Sequence, residues 1–530
     1  MINIENFRRD EIPFFNEKDY INERNNNKLS LRKIKNNSQI QKKRDYILIH
    51  MKQNNNIDKD LQFRVINFDS SYNIIENYLN SNNLDLISYC FQEIYIYFSM
   101  NCPSIKEQKK IIETKFLYTI YKFGNKFIDE KNLIDLSIIL NILINIQPKE
   151  EGNNEFTKDI YSKDFLEFFN KCLNLTKELD NDRQKADIYR QIVAILNMMA
   201  YYHDDNIYDL NLIILRSQVF RNILDYYYTN NSCYMEDLQN LLKLINFTVD
   251  FSNQEDKLCN DDKNIINNCL KLLARELYSG GNKVDLLSLI FDALFHLSLL
   301  DDEYDCCEKL IEEGVPLKIL KMKFNNFNLT KDYLNMIKNS MRILANILTT
   351  SDKNCQILYS NNIIDFYNNV LEKFDDNINI VRAILFGIYN ISIGSKYEII
   401  KLSNIWQEKN IQTYLNYNDE IKIQYIKIIN NLLRKNDKEF IKFIYDSKIL
   451  KYLIYTFVHL NIGKKCCFKI LEIIDQYLCS FKKESKQTEE YALIYNLFKD
   501  LFYSSEKVVL LAAEAQNIQI IEKRIKENYE

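Results

Sequence analysis

Apolar residues along this chain fall at helical spacing, in short runs that recur as triplets. One triplet is a long run around residues 334–348, a shorter one around 353–359, and then Ile363, Tyr367, Val370, Leu371 and Phe374. The block 381–393 starts the pattern again. Apolar positions three and four apart share one side of a helix, so each run predicts a helix with a buried stripe. Superposing the blocks aligns one polar position near the end of each long helix: Asn145, Asn197, Asn246, His296, Asn346, Asn390 and Asn431. The intervals are 52, 49, 50, 50, 44 and 41 residues. A recurring period of this size marks a helical solenoid, in which each repeat buries its apolar face against its neighbours. The expected architecture is all-α, with a repeat body from about Ser71 onward.

Turn residues point the same way. The 530 residues include only 8 Gly and 4 Pro. Sheets and barrels need many turns built on those residues, whereas helix-to-helix connections can be made with Asn, Asp and Ser. Hydrophobic residues make up 46% and charged residues 27%, with a net charge of -4, which excludes general disorder and a broadly nucleic-acid-binding surface. No N-terminal run resembles a signal peptide and no stretch reaches ~18 uninterrupted apolar residues, so a soluble, intracellular protein without membrane insertion is expected. The 12 Cys are scattered, and the pairs Cys306-Cys307 and Cys466-Cys467 lack zinc-site spacing and a nearby His. Reduced, mostly buried thiols and no metal site are expected. With 4 His, no Gly-rich phosphate loop, no H-E-x-x-H and no framed Ser or Cys nucleophile, an enzyme is not expected, and no catalytic residue or cofactor is assigned.

The aligned Asn positions carry the candidate chemistry. An Asn side chain offers an acceptor and two donors, so it can bond both the N–H and the C=O of a peptide laid beside it. A row of them at one repeat position can hold an extended peptide without reading its sequence. Ahead of the body, residues 28–44 read K-L-S-L-R-K-I-K-N-N-S-Q-I-Q-K-K-R, with seven basic residues and no acid. Such an arm suits nucleic acid, a membrane or an acidic protein groove. Leu29, Leu31, Ile34 and Ile40 are too few for a membrane face, and nucleic-acid binding would leave the repeats unexplained.

Arm and body together resemble importin-α, the armadillo-repeat adaptor that carries nuclear-localisation-signal cargo. In that family the arm contains an L-R-K-x-K element and a K-R-R cluster. Leu31-Arg32-Lys33-Ile34-Lys35 matches the first and Lys42-Lys43-Arg44 stands in for the second. In the body, residues 341–352, M-R-I-L-A-N-I-L-T-T-S-D, resemble the family's sixth repeat, the block from Leu196 its third, and the block from Phe386 its seventh.

The resemblance implies a right-handed superhelical armadillo solenoid over 71–505, an importin-β-binding arm over 1–46, a linker over 47–70 and a C-terminal helix or cap over 506–530. It implies importin-β, basic signal peptides and an export receptor as partners, no direct nucleic acid, and shuttling between cytoplasm and nucleus. Arg24, Lys28, Leu31, Arg32, Lys33, Lys35, Lys42, Lys43 and Arg44 would contact importin-β. Lys42-Lys43-Arg44 would also mimic a signal in the groove when the carrier is absent. The groove would comprise Asn145, Asn197, Asp204, Asp205, Asn246, His296, Arg342, Asn346, Asp352, Phe386, Asn390 and Asn431.

One departure bears on mechanism. The family places Trp four residues before most groove Asn, where indoles sandwich the stems of signal lysines. Here those positions hold Asn141, Val193, Leu242, Phe386 and Lys427, and the chain's single Trp, Trp406, is out of register. A lost cation–π contact forfeits roughly 0.5–2 kcal/mol per site. Lysine stems would be left to pack on Val193 or Leu242, Lys427 would repel a basic cargo, and Phe386 would make the strongest surviving cation contact. Tyr201 replaces a family Asp, with Asp204, Asp205, Glu150 and Glu151 as nearby acids. The competing expectation is an armadillo interaction scaffold that has lost general signal-peptide recognition.

Overall fold

The computed structural model describes residues 65, 67–81, 83–101, 103–146, 162–178, 182–201, 210–230, 235–250, 258–259, 261–279, 283–300, 304–324, 329–393 and 419–434. The arm, most of the linker, Trp406 and everything from 435 to the C-terminal segment 506–530 lie outside them. Every regular element among the described residues is a helix. The first ten are α1 (Phe68–Leu79), α2 (Leu84–Met100), α3 (Ile105–Glu113), α4 (Phe116–Asp129), α5 (Leu133–Asn145), α6 (Lys163–Lys177), α7 (Asp182–Tyr201), α8 (Leu210–Arg216), α9 (Gln218–Thr229) and α10 (Met235–Thr248). The rest are α11 (Asp262–Ser279), α12 (Val284–Ser298), α13 (Cys306–Glu312), α14 (Val315–Leu320), α15 (Lys331–Ile347), α16 (Asp352–Ser360), α17 (Ile363–Phe374), α18 (Ile378–Ile393) and α19 (Asp419–Arg434). The triplet expected from periodicity is present as the long α15 followed by α16 and α17, and α18 starts the pattern again.

Two compact units divide between Leu244 and Ile245, inside α10. In the first, α3, α4 and α5 form one triplet, and the long helices α2, α5 and α7 pack in succession. In the second, α13–α15 and α16–α18 are triplets, and the long helices α12, α15, α18 and α19 pack each on the next. These successive long helices form one layer in each unit, an armadillo-like arrangement. Their apolar stripes make the core: in α15, Met341, Ile343, Leu344 and Ile347 are fully buried. Each such side chain contributes about 1.5–3 kcal/mol on burial. Cys90, Cys172, Cys269, Cys306 and Cys307 are buried, and burial pushes the Cys269 thiol up to about 12, which leaves it inert.

Helix ends use the polar residues that the sequence supplies in place of Gly and Pro. Asn83 accepts from the backbones of Asp85 and Leu86, Thr330 from Tyr333, and Ser351 from Asn354. Ser104 and Glu107 form a capping box. The turn from first to second helix of a triplet takes a left-handed residue: Lys115 (φ 52°), Gly314 (φ 73°) and Asn362 (φ 60°). Only one of the three is the Gly that such a turn favours. Gly387 serves another purpose, since a Cβ there would lie 2.8 Å from Cζ of the buried Tyr367.

Candidate functional site: the exposed face of the long-helix layer

Each long helix of the second unit leaves one polar stripe uncovered. On α15 it is Lys331, Asn335, Lys338, Arg342 and Asn346, spaced by three or four, with buried residues between from Asn335 onward. The matching stripes are Asp285, Leu289, Asp292 and His296 on α12, Arg382, Phe386, Asn390 and Ile393 on α18, and Gln424, Lys427 and Asn431 on α19. The register residues therefore share one face of their unit. Asn145 and Asn197 hold the corresponding places on α5 and α7 of the first unit, both half-buried.

The amides of this row first bind the protein itself. Asn346 Nδ2 donates to Ser298 Oγ of α12 at 2.8 Å, Asn390 Nδ2 to the Ala345 carbonyl of α15 at 3.0 Å, and Asn431 Nδ2 to Ser392 Oγ of α18 at 3.0 Å. The two serines pass the bond on, donating to the Phe295 and Tyr389 carbonyls of their own helices. Asn246 Nδ2 reaches forward to the Leu289 carbonyl at 2.9 Å, and Asn197 Nδ2 to the Asn240 carbonyl at 2.6 Å. Asn145 turns back on its own helix, donating to the Asn141 carbonyl at 2.7 Å. One amide proton per residue is thus committed, leaving one proton and the oxygen. Asn246 keeps less, because its oxygen is enclosed without a partner.

Further lateral polar bonds strengthen the same layer. Ser88 donates to Asp135 at 2.6 Å across α2 and α5, and Gln191 to Ser137 Oγ at 2.8 Å across α7 and α5. The Arg190 guanidinium grips Asp237 through two bonds, 2.5 and 3.0 Å, and also takes Asp187. Asn339 donates to Asp292, whose carboxyl burial holds above the usual range although Lys338 and His296 oppose it.

The charge on the exposed face changes sign within the second unit. On α12 it is acidic, with Asp285 and Asp292, and His296 Nδ1 lies 3.6 Å from Asp250 Oδ1. On α15, α18 and α19 it is basic, with Lys331, Lys338, Arg342, Arg382 and Lys427. Burial pushes the Arg342 guanidinium down from its usual value and the Arg382 charge adds to that. Lys338 is pushed down by burial and by Arg342 and Lys331, against the pull of Asp292. Arg342 lies over the Phe295 ring, 5.1 Å from its centroid. It stands four residues before Asn346, so the chain supplies its own cation at an aromatic face.

These placements revise several sequence expectations. Val193 and Leu242 are fully buried in the core, so neither offers a surface to a lysine stem. Phe386 is 38% exposed, an open ring on the face, and Lys427 is exposed beside it in the layer. Asp352 is not on the layer. It opens α16, exposed in the first turn, where a carboxylate favours the helix N-terminus. Asp204, Asp205, Glu150 and Glu151 lie outside the described residues, as do all the arm residues. Ser298 and Ser392 were missed, though the pattern H-L-S and N-I-S, a hydroxyl two residues after the register position, marks them. Among the described residues no group of three or more His, Cys, Asp or Glu is placed to hold a metal ion, and no helix is long and apolar enough to cross a membrane.

No protein-family model matches this sequence, and no curated protein matches it. Among solved structures, an engineered protein from the Northeast Structural Genomics Consortium superposes with a TM-score of 0.55 at 12% identity, covering 86% of this chain and 98% of its own. That likeness is one of fold. A designed armadillo repeat protein in complex with the peptide (KR)4, and computationally designed armadillo repeat proteins for modular peptide recognition, each align at a TM-score of 0.39 and 17% identity, over 48% of this chain and 98% of theirs. At that score they add nothing to the repeat architecture, which stands on the chain's own period and its stacked long helices.

Proposed function

We propose that the chain is a non-catalytic adaptor for nuclear import, resembling importin-α, that binds basic signal peptides along its long-helix layer and importin-β through residues 1–46. The observation that carries this is the row of half-buried amides at one repeat position. Each of Asn197, Asn346, Asn390 and Asn431 has one amide proton committed to a neighbouring helix and so is held in a fixed orientation. Its second proton and its oxygen are the pair a peptide backbone needs. The sequence of the arm supports the carrier contact, and recycling by an export receptor and shuttling between cytoplasm and nucleus follow from the same resemblance.

Replacing Arg32, Lys33 and Lys35 with Ala should abolish importin-β capture in a pull-down; retention at wild-type strength would refute the arm assignment. Replacing Asn197 and Asn246 with Ala should weaken binding of a basic signal peptide to the chain lacking residues 1–46. A second reading, a scaffold that has lost general signal recognition, is favoured by the burial of Val193 and Leu242 and by Arg342 occupying the Phe295 ring. That reading stands if no basic peptide binds even when the arm is removed.

A further inference from the structure

We infer that the exposed face of α15, α18 and α19 is a docking surface for an acidic peptide segment in extended conformation, a ligand of opposite charge to a nuclear import signal. Five cations lie on it: Lys331, Lys338 and Arg342 on one stripe of α15, Arg382 on α18 and Lys427 on α19. Lys338 bonds Asn335 Oδ1 at 3.0 Å and Arg342 rests on Phe295, and neither forms an ion pair with a described carboxylate. Like charges crowded this way are mutually destabilising, so an anionic ligand relieves repulsion as well as gaining contacts.

The occupant is a peptide for three reasons. Packed helices lie ~8–10 Å apart and an extended chain advances ~3.3 Å per residue, so Arg342, Arg382 and Lys427 on three successive helices meet side chains two to three residues apart. The fixed amides of Asn346, Asn390 and Asn431 follow those cations by one or two turns on the same helices and suit a main chain. Phe386, 38% exposed, and Ile393, 54% exposed, offer apolar contact beside the charges, which fits acids interspersed with an apolar side chain. This inference shares Asn346, Asn390 and Asn431 with the adaptor reading, and the two tests stay distinguishable because the import test turns on the arm and on Asn197 and Asn246.

The test is fluorescence anisotropy of the full chain with a labelled synthetic peptide of Asp and Glu around a central Leu. The expected result is saturable binding that weakens with salt, and falls at least about tenfold in Arg342→Gln/Arg382→Gln, the loss of roughly one charge-assisted bond. Because Arg342 packs on Phe295, the outward pair Lys338→Gln/Lys427→Gln is tested as well, with helicity checked by circular dichroism, and should show the same fall. Lys131→Gln, an exposed cation of the first unit, should bind as wild type. Failure of the acidic peptide to saturate, or wild-type binding by both double variants, overturns the inference. So does tighter binding of the same peptide with Lys in place of its acids, or of a single-stranded oligonucleotide.

Discussion

Replacing Asn390 with Ala tests whether the amide row holds the repeats together. Its Nδ2 donates to the carbonyl of Ala345 in the last turn of α15, at 3.0 Å. That carbonyl is not served by its own helix, because the following N–H groups of Leu348 and Thr349 donate to Leu344 and Asn346. Ala345 is fully buried. Removing the amide therefore leaves an enclosed acceptor unpaired, a cost of about 1–3 kcal/mol. Repeat proteins open locally, so a global melting curve would blur the loss. Hydrogen exchange at the end of α15 resolves it: a loss of about 2 kcal/mol speeds exchange there roughly 30-fold. Asn335→Ala, on the same stripe but with its oxygen serving only Lys338, should stay within about 0.5 kcal/mol of wild type. Wild-type exchange in Asn390→Ala would show that the amide does not hold the layer and would remove the fixed orientation on which the peptide-binding proposal depends.

Four other substitutions probe the scaffold. Tyr367→Phe removes a buried hydroxyl that has no partner and should stabilise by about 1 kcal/mol in thermal denaturation, while Gly387→Ala, whose Cβ would strike the same ring, should destabilise by about 1–3 kcal/mol. Lys115→Gly relieves a left-handed backbone worth about 1–2 kcal/mol and adds about 0.4–1 kcal/mol of unfolded-chain entropy, so urea denaturation should show a small net gain. Burial works against the Glu107 carboxylate, yet bonds from the Tyr97 hydroxyl at 2.6 Å, from the Ser104 N–H and hydroxyl, and from the Phe68 N–H hold its carboxyl below the usual range. A depressed folded value means that its stabilisation is present above the unfolded value, about 4.3, and is lost as pH falls through the folded one. Acid unfolding of the first unit should lose that component in Glu107→Gln, and an unchanged pH profile would refute it.

The helices and their triplet order were legible because burial stripes repeat at helical spacing wherever a long helix packs against two neighbours, as in α15 and α18. The register residues were legible for the same reason, being the one polar position each block keeps beside its core. What they do was less so. Periodicity reports which side of a helix a residue occupies and not which neighbour lies across from it, so Asn390 reads as a ligand contact although its first bond is to Ala345. Val193 and Leu242 show the same limit. Four residues before a register Asn is close to the buried boundary, and a small shift of helix rotation sends an aliphatic side chain inward where a larger aromatic would stay at the rim. The basic face was hidden differently, because Lys338, Arg342 and Arg382 become one patch only when α15 packs on α18.

The left-handed turns at Lys115, Gly314 and Asn362 bear on how much of the repeat is visible in the residues alone. A sharp first-to-second helix turn is a geometric demand of the triplet, and Gly meets it with least strain. Here two of the three are held by residues with side chains, so tertiary packing tolerates the backbone strain without a Gly. Residue preference and shape have been uncoupled at the joints. A comparison of letters loses the repeat at those positions, while the fold keeps it.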